Sequence, residues 1–193
     1  MADAKKKSIR AVFLDRDGVI NEYPGDYDYV KSWQEFRFLP GVFDALELFG
    51  ARGFKIIIIS NQAGVSKGLY SQEDLDAITR NMLEAFRKRG IVIAGVYYCT
   101  HKPEDNCACR KPKPGMIHAA LDDLKRQGLV VDIKASYCIG DSLRDIELGK
   151  NIGLHTALLY SGREKPKNSA QWMSVPDCTY PGLLEAALSI ARK

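Results

Sequence analysis

Long hydrophobic runs are missing from the 193-residue sequence: Ile56–Ile59 has four residues, and the longest uncharged apolar stretch, Ile91–Cys99 with Gly95 inside it, has nine. That is far short of the roughly 20 residues that span a bilayer, so no membrane partner is expected. The start, Met1 to Lys7, has neither an apolar signal region nor a small-residue cleavage site, and a cytoplasmic location is expected. A strong charge of one sign is also missing. The 28 Lys plus Arg exceed the 24 Asp plus Glu by only four, and Lys5, Lys6 and Lys7 account for three of those charges. The body is near neutral, which argues against a nucleic-acid partner. Nor is there compositional bias, internal repeat or low-complexity tract. With 46% hydrophobic and 27% charged residues, disorder, collagen and coiled coil are excluded. The expectation is a single domain over residues 1–193, with residues 1–8 as a disordered tail. An even cysteine count is lacking as well. Of five, Cys99, Cys107 and Cys109 fall within eleven residues, which in a cytosolic protein reads as metal binding before disulfide bonding.

What is present is an alternation of two periods. Continuous or period-2 apolar runs predict strands at Ile9–Leu14, Lys55–Ser60, Ile93–Tyr98, Ala135–Ile139 and His155–Leu159. Period-3.6 segments predict helices at Val42–Arg52, Gln72–Arg89, Pro114–Gln127, Leu143–Asn151 and Leu183–Arg192, with Ser71 and Ser142 as caps. Apolar strands each followed by a helix require a parallel sheet covered on both faces, a doubly wound α/β domain. Ser161–Ser174, rich in Lys, Gly, Asn and Pro, is the expected mobile stretch.

In such a sheet, ligands gather at the carboxyl ends of the strands, and here those ends are polar. Asp15-Arg16-Asp17-Gly18 places two carboxylates two residues apart where a buried strand meets a glycine turn. Two such acids do not both stay ionised without a cation, and Mg²⁺ takes one or two carboxylates while leaving positions for phosphate oxygens. Ser60-Asn61-Gln62-Ala63-Gly64 offers a hydroxyl, side-chain amides and backbone N–H groups to phosphate oxygens. Arg110-Lys111-Pro112 sets fixed cations before a helix, and Gly140-Asp141-Ser142-Leu143-Arg144-Asp145 adds a second acid pair. Each segment alone reads equally as a turn; four at one sheet edge read as a site.

Taken together, Asp15-Arg16-Asp17-Gly18, Ser60-Asn61, Lys111 and Gly140–Asp145, in that order and spacing, resemble the four motifs of the haloacid dehalogenase-like (HAD) phosphohydrolase superfamily over essentially the whole chain. The resemblance implies Asp15 as the nucleophile and Asp17 as general acid and base. It implies Ser60 on the transferring phosphate and Lys111 neutralising charge there. Mg²⁺ would be held by Asp15, Asp141 and the backbone carbonyl of Asp17.

Cys99-x-His101, five residues, then Cys107-x-Cys109 offers three thiolates and one imidazole, the closed tetrahedral set of structural Zn²⁺. This loop, residues 99–109, runs directly into Arg110 and Lys111. Only 42 residues separate Asp17 from Ser60, which leaves no room for a folded cap domain. Specificity then falls to loops, chiefly the flap Glu22–Trp33 with Tyr23, Tyr27 and Tyr29. The combination is similar to one capless branch of the superfamily with two activities. One removes the 7-phosphate of D-glycero-D-manno-heptose 1,7-bisphosphate, and the motifs here look closer to it; the other hydrolyses histidinol phosphate. A monomer acting on a small sugar bisphosphate is implied, with Arg110 suited to the second phosphate. A reading from another class is a catalytically inactive zinc-loop binding module, against which the complete acids at 15, 17 and 141 count.

Overall fold

The structure is a computed structural model that describes residues 7–192. Seven strands form one parallel sheet: β1 (Lys7–Leu14), β2 (Phe54–Asn61), β3 (Ile93–Cys99), β4 (Leu129–Val131), β5 (Tyr137–Gly140), β6 (His155–Leu159) and β7 (Cys178–Tyr180). The helices are α1 (Val42–Ala51), α2 (Gln72–Lys88), α3 (Gly115–Arg126), α4 (Leu143–Ile152) and α5 (Leu183–Ile190). The strand order is β3-β2-β1-β5-β6-β7, with β4 paired to the start of β1 on the edge that β5 continues.

The two faces of the sheet explain the unbroken apolar strands. Val12 and Leu14 point into a core shared with Phe49, Phe86 and Ile190, whereas Ala11 and Phe13 point into one with Met116, Ile117 and Leu148. Both sets are fully or almost fully buried, so β1 is apolar at every position from Ala11 to Leu14. Truncating Phe13 to Ala would cost about 3–5 kcal/mol on this account. α2 starts at the expected capping box, in which the Asp74 N–H donates to the Ser71 hydroxyl at 3.1 Å and the Ser71 N–H donates back to the Asp74 carboxylate at 2.9 Å.

The fold corrects several expectations. Lys7 and Ser8 belong to β1, in register with Leu129 and Val130, rather than to a tail; residues 1–6 lie outside the described residues. β4 and β7 were not expected, because three residues are too few to show a period. Ala135 closes a 3₁₀ turn instead of opening β5. The Ser161–Ser174 stretch contains a 3₁₀ helix, Pro166–Gln171, and is tied down where the Trp172 indole N–H donates to Glu164 at 3.1 Å and its ring stacks on Tyr160. No folded insertion separates the strands, and among the described residues no helix is long and apolar enough to cross a membrane.

Candidate active site

The carboxyl ends of β1, β2 and β5 converge on one open cleft of about 240 Å³, whose lining includes Asp15, Asp17, Ser60, Lys111 and Asp141. Asp15 leaves β1 with its N–H still bonded to the Ile139 carbonyl at 3.0 Å, so the strand ladder fixes its backbone. One carboxylate oxygen accepts from the Ser60 hydroxyl at 2.6 Å; the other lies 2.8 Å from Lys111 Nζ. Lys111 is 3% exposed and reaches Asp145 as well, at 2.6 Å, while donating to the Ile59 carbonyl at 3.1 Å. Burial works against its charge, but Asp145 and Asp15 more than offset this and hold the ammonium above its ordinary range.

Burial also pushes the Asp15 carboxyl up to about 6, against the lowering influence of Lys111, and Asp145 adds to the rise. Asp141 stands well above the ordinary carboxylate range, first through burial and then through the nearby Asp15 and Asp145. Its Oδ2 accepts the Arg163 N–H at 2.7 Å. A Cβ on Gly18, whose φ is +80°, would fall 2.3 Å from that same oxygen, so only glycine lets the β1 turn pack against Asp141.

These acids fit a hard divalent cation. Carboxylate oxygens of Asp15, Asp141 and Asp145 lie within 4.8 Å of one another, and a cation would offset the burial, and the repulsion adding to it, that raise the first two. Asp145 is nevertheless spoken for by Lys111 and by the Ser142 hydroxyl at 2.6 Å. The Asp17 carboxylate stands outside the group; only its backbone carbonyl was expected to face the ion.

Two other residues expected to contact phosphate have partners within the protein, and Asn61 lines the cleft as well. The Asn61 side chain brackets the backbone of Lys111, accepting its N–H at 3.0 Å and donating to its carbonyl at 3.3 Å. Gln62 is fully buried and does not line the cleft, so direct substrate contact, expected from its place after Ser60-Asn61, does not fit the geometry. Arg110 lines the cleft and donates to the His101 carbonyl at 3.3 Å.

The cysteine cluster has the dimensions of a tetrahedral zinc site. The sulfurs of Cys99, Cys107 and Cys109 are 3.2 to 3.5 Å apart, and His101 Nδ1 lies 3.7 Å from Cys99 and 3.3 Å from Cys109. A tetrahedron with Zn–S near 2.3 Å has edges of about 3.7 Å, so a small contraction separates this set from a loaded one. The donor chemistry, three sulfurs and one imidazole with no open position, fits structural zinc.

Sequence reasoning missed two groups, Arg16 and Arg163, and the role of a third, Asp145. Arg16, between the two motif acids, is fully buried and pairs with Asp17 at 2.9 Å; the signal was a charged residue at the end of a buried strand, with Gln62 on the adjacent strand end. Asp145 is legible in the sequence as the partner of Asp141 in an acid pair, but its contact with Lys111 is not. Arg163, in a stretch read as loop, holds Asp141 through its N–H and Asp26 of the flap through its guanidinium at 3.3 Å.

Comparison with known proteins agrees with this geometry. The family model described as "HAD-hyrolase-like" matches residues 108–186. A D-glycero-beta-D-manno-heptose-1,7-bisphosphate 7-phosphatase of Helicobacter pylori is 37% identical over 151 residues, 78% of this chain and 83% of its own. Its namesake from Escherichia coli K12 is 34% identical over 179 residues, 86% of this chain and 89% of its own. Among solved structures, the D,D-heptose 1.7-bisphosphate phosphatase of B. bronchiseptica, complexed with magnesium and phosphate, superposes with a TM-score of 0.80 at 31% identity, covering 96% of this chain and 98% of that one.

Proposed function

The chain belongs to the HAD-like hydrolases and, within them, to the heptose-bisphosphate phosphatases, and from that premise we propose that it removes the 7-phosphate of D-glycero-D-manno-heptose 1,7-bisphosphate. The observation that carries the mechanism is Asp15 held between Ser60 and Lys111 at the floor of an open cleft. In the first half-reaction an Asp15 oxygen attacks phosphorus, the bond from phosphorus to the sugar oxygen breaks, and Asp17 gives that oxygen a proton. In the second, Asp17 takes a proton from water, the water oxygen bonds to phosphorus, and the bond to Asp15 breaks, freeing phosphate and restoring the carboxylate.

Lys111 screens the dianion from the nucleophile, and Ser60 moves its hydroxyl between Asp15 and a phosphate oxygen. Mg²⁺ held by Asp15, Asp141 and the Asp17 carbonyl would supply charge neutralisation at the transferring group. Zn²⁺ on Cys99, His101, Cys107 and Cys109 would supply rigidity to the loop that presents Arg110 and Lys111. Arg110 meets the phosphate that stays on the sugar, a reading supported by its position in the cleft wall.

We read the whole chain as one catalytic domain acting as a cytoplasmic monomer on a small sugar bisphosphate. The test is phosphate release from the β-anomer of heptose 1,7-bisphosphate and from histidinol phosphate, each with and without EDTA. Faster release from the bisphosphate, lost with chelator, is the expected result. Faster turnover of histidinol phosphate would overturn the substrate assignment, and no release from either would favour an inactive zinc module.

A further inference from the structure

Every hydrogen-bonding atom of the Gln62 side chain is spent inside the protein. Its Oε1 accepts from Arg16 Nη2 at 3.0 Å and from the Tyr70 hydroxyl at 2.6 Å. Its Nε2 donates to Asp17 Oδ2 at 2.7 Å and to the Ser60 hydroxyl at 3.2 Å. Two donors facing one end of the amide decide which end is oxygen, because the reversed amide would set N–H against N–H and O–H. Ser60 in turn donates to Asp15 at 2.6 Å, so one amide bridges the Asp17 carboxylate and the hydroxyl bound to Asp15.

The rest of the surroundings leave the amide little freedom. Gln62 and Arg16 are fully buried. The Tyr70 ring is locked against Gly64, where a Cβ would come within 2.2 Å of it, and packs on Tyr29 of the flap with centroids 6.1 Å apart. The far side of Asp17 is held by Arg16, at 2.9 to 3.1 Å, and by Asn21 Nδ2 at 2.9 Å.

We propose that Gln62 and Tyr70 are positioning residues that fix the Asp17 carboxylate relative to Asp15, so that Asp17 faces the water attacking the aspartyl phosphate. Tyr70 acts by orienting the Gln62 amide, and Gln62 by holding Asp17 and Ser60 at once. The proposal rests on the reading of Asp15 as nucleophile and Asp17 as acid and base. It goes beyond that reading in assigning to two residues that do not touch substrate the spacing between the two catalytic carboxylates, an offset of which slows reaction steeply.

The experiment uses p-nitrophenyl phosphate, whose leaving group departs without a proton, so that forming the aspartyl phosphate does not need Asp17 while its hydrolysis does. The holoenzyme with Mg²⁺ is mixed rapidly with this ester and p-nitrophenol release is followed. Gln62→Met, which keeps the volume, is expected to lower steady-state turnover about 100-fold and to reveal a burst approaching one p-nitrophenol per chain. Tyr70→Phe, which removes one hydroxyl, should give the same pattern with a loss of roughly tenfold, and the double variant should lose no more than Gln62→Met alone. Burst rate and steady state falling together would mean general damage to the site and would overturn the assignment. So would turnover within twofold of wild type in both single variants. An Asp15→Asn variant that still shows a burst would instead overturn the nucleophile reading, and this assignment with it.

Discussion

Lys111 Nζ lies 2.6 Å from Asp145 Oδ1, with both side chains almost completely buried. Asp145 thus holds the ammonium from below while Asp15 meets it at 2.8 Å. Breaking a buried pair by removing one partner costs about 3–5 kcal/mol, and because Asp15 remains to Lys111, Asp145→Asn should sit near or below the lower end of that range. Turnover should fall at least tenfold, since an unanchored ammonium no longer screens the dianion from one fixed place. Denaturant melts and steady-state kinetics on one preparation check both; unchanged values in both would remove Asp145 from the site's support.

Asp15→Asn should abolish turnover, by more than roughly 10³-fold, because an amide forms no acyl phosphate. The fold should survive. The carboxyl is pushed up to about 6 by burial, so the charge costs free energy where it stands, and the amide keeps a hydrogen bond to Ser60. Far-UV circular dichroism and melting near wild type, with activity lost, is the expected pair of results; activity within tenfold of wild type would refute the assignment.

The sequence made some of this site visible and hid the rest for physical reasons. Ile9–Leu14 and Lys55–Ser60 were readable because burial on both faces leaves the unbroken apolar runs Ala11–Leu14 and Ile56–Ile59, and strand ends locate Asp15 and Ser60 without further help. Cys99, His101, Cys107 and Cys109 were readable because four soft ligands close in sequence must also be close in space. Asp145 was readable as one of an acid pair, but its partner was not, because the oxygen that Ser142 leaves free reaches Lys111, 34 positions away. Gln62 was misread since spacing along a strand end does not say whether an amide points to solvent or turns inward to Asp17. β4 and β7 are carried by pairing with β1 and β6 rather than by any pattern of their own.

One tightly held zinc per chain is expected, distinct from an exchangeable magnesium. Elemental analysis of protein purified without chelator should find it. Cys107→Ser should lose the metal and lower melting temperature and turnover together, because the clamped loop runs straight into Arg110 and Lys111. Zinc-free protein with full activity and unchanged melting would contradict a structural role.

Acid should weaken the junction of β6 with the chain before β7. The Asp177 carboxylate, despite burial, is held below its ordinary value of 3.8 by the N–H and hydroxyl of Thr156, at 2.7 and 2.8 Å, with Lys150 contributing. A carboxyl lowered on folding adds stability above its unfolded value and loses it as pH falls through its folded value. The gap in melting temperature between wild type and Asp177→Asn should therefore be full above about pH 5 and shrink as pH drops below 3.8. A gap that is constant from pH 6 to pH 2.5 would show that the charge of Asp177 contributes nothing.

Arg110 tests which phosphate the cleft wall recognises. Its guanidinium lines the cleft yet also reaches the His101 carbonyl at 3.3 Å, so two roles compete: holding the phosphate that remains on the sugar, or bracing the cysteine loop. A monoester needs positive charge only at the transferring group, which Lys111 supplies, whereas a bisphosphate brings a second dianion suited to a planar fork of N–H donors. Binding at that remote group also orients the reacting one, so its loss appears in kcat/KM rather than in KM alone. Arg110→Ala should accordingly lower kcat/KM for heptose 1,7-bisphosphate by roughly 10- to 100-fold, as expected for a lost charge-assisted contact of about 1.5–3 kcal/mol, and change p-nitrophenyl phosphate turnover less than threefold. Arg110→Lys should recover only part of the loss, because a point charge replaces the fork. Equal losses on both substrates, accompanied by a lower melting temperature, would assign Arg110 to bracing the loop, and the second phosphate would then have to be met by the other cations of the cleft wall, Lys67, Arg144 and Arg163.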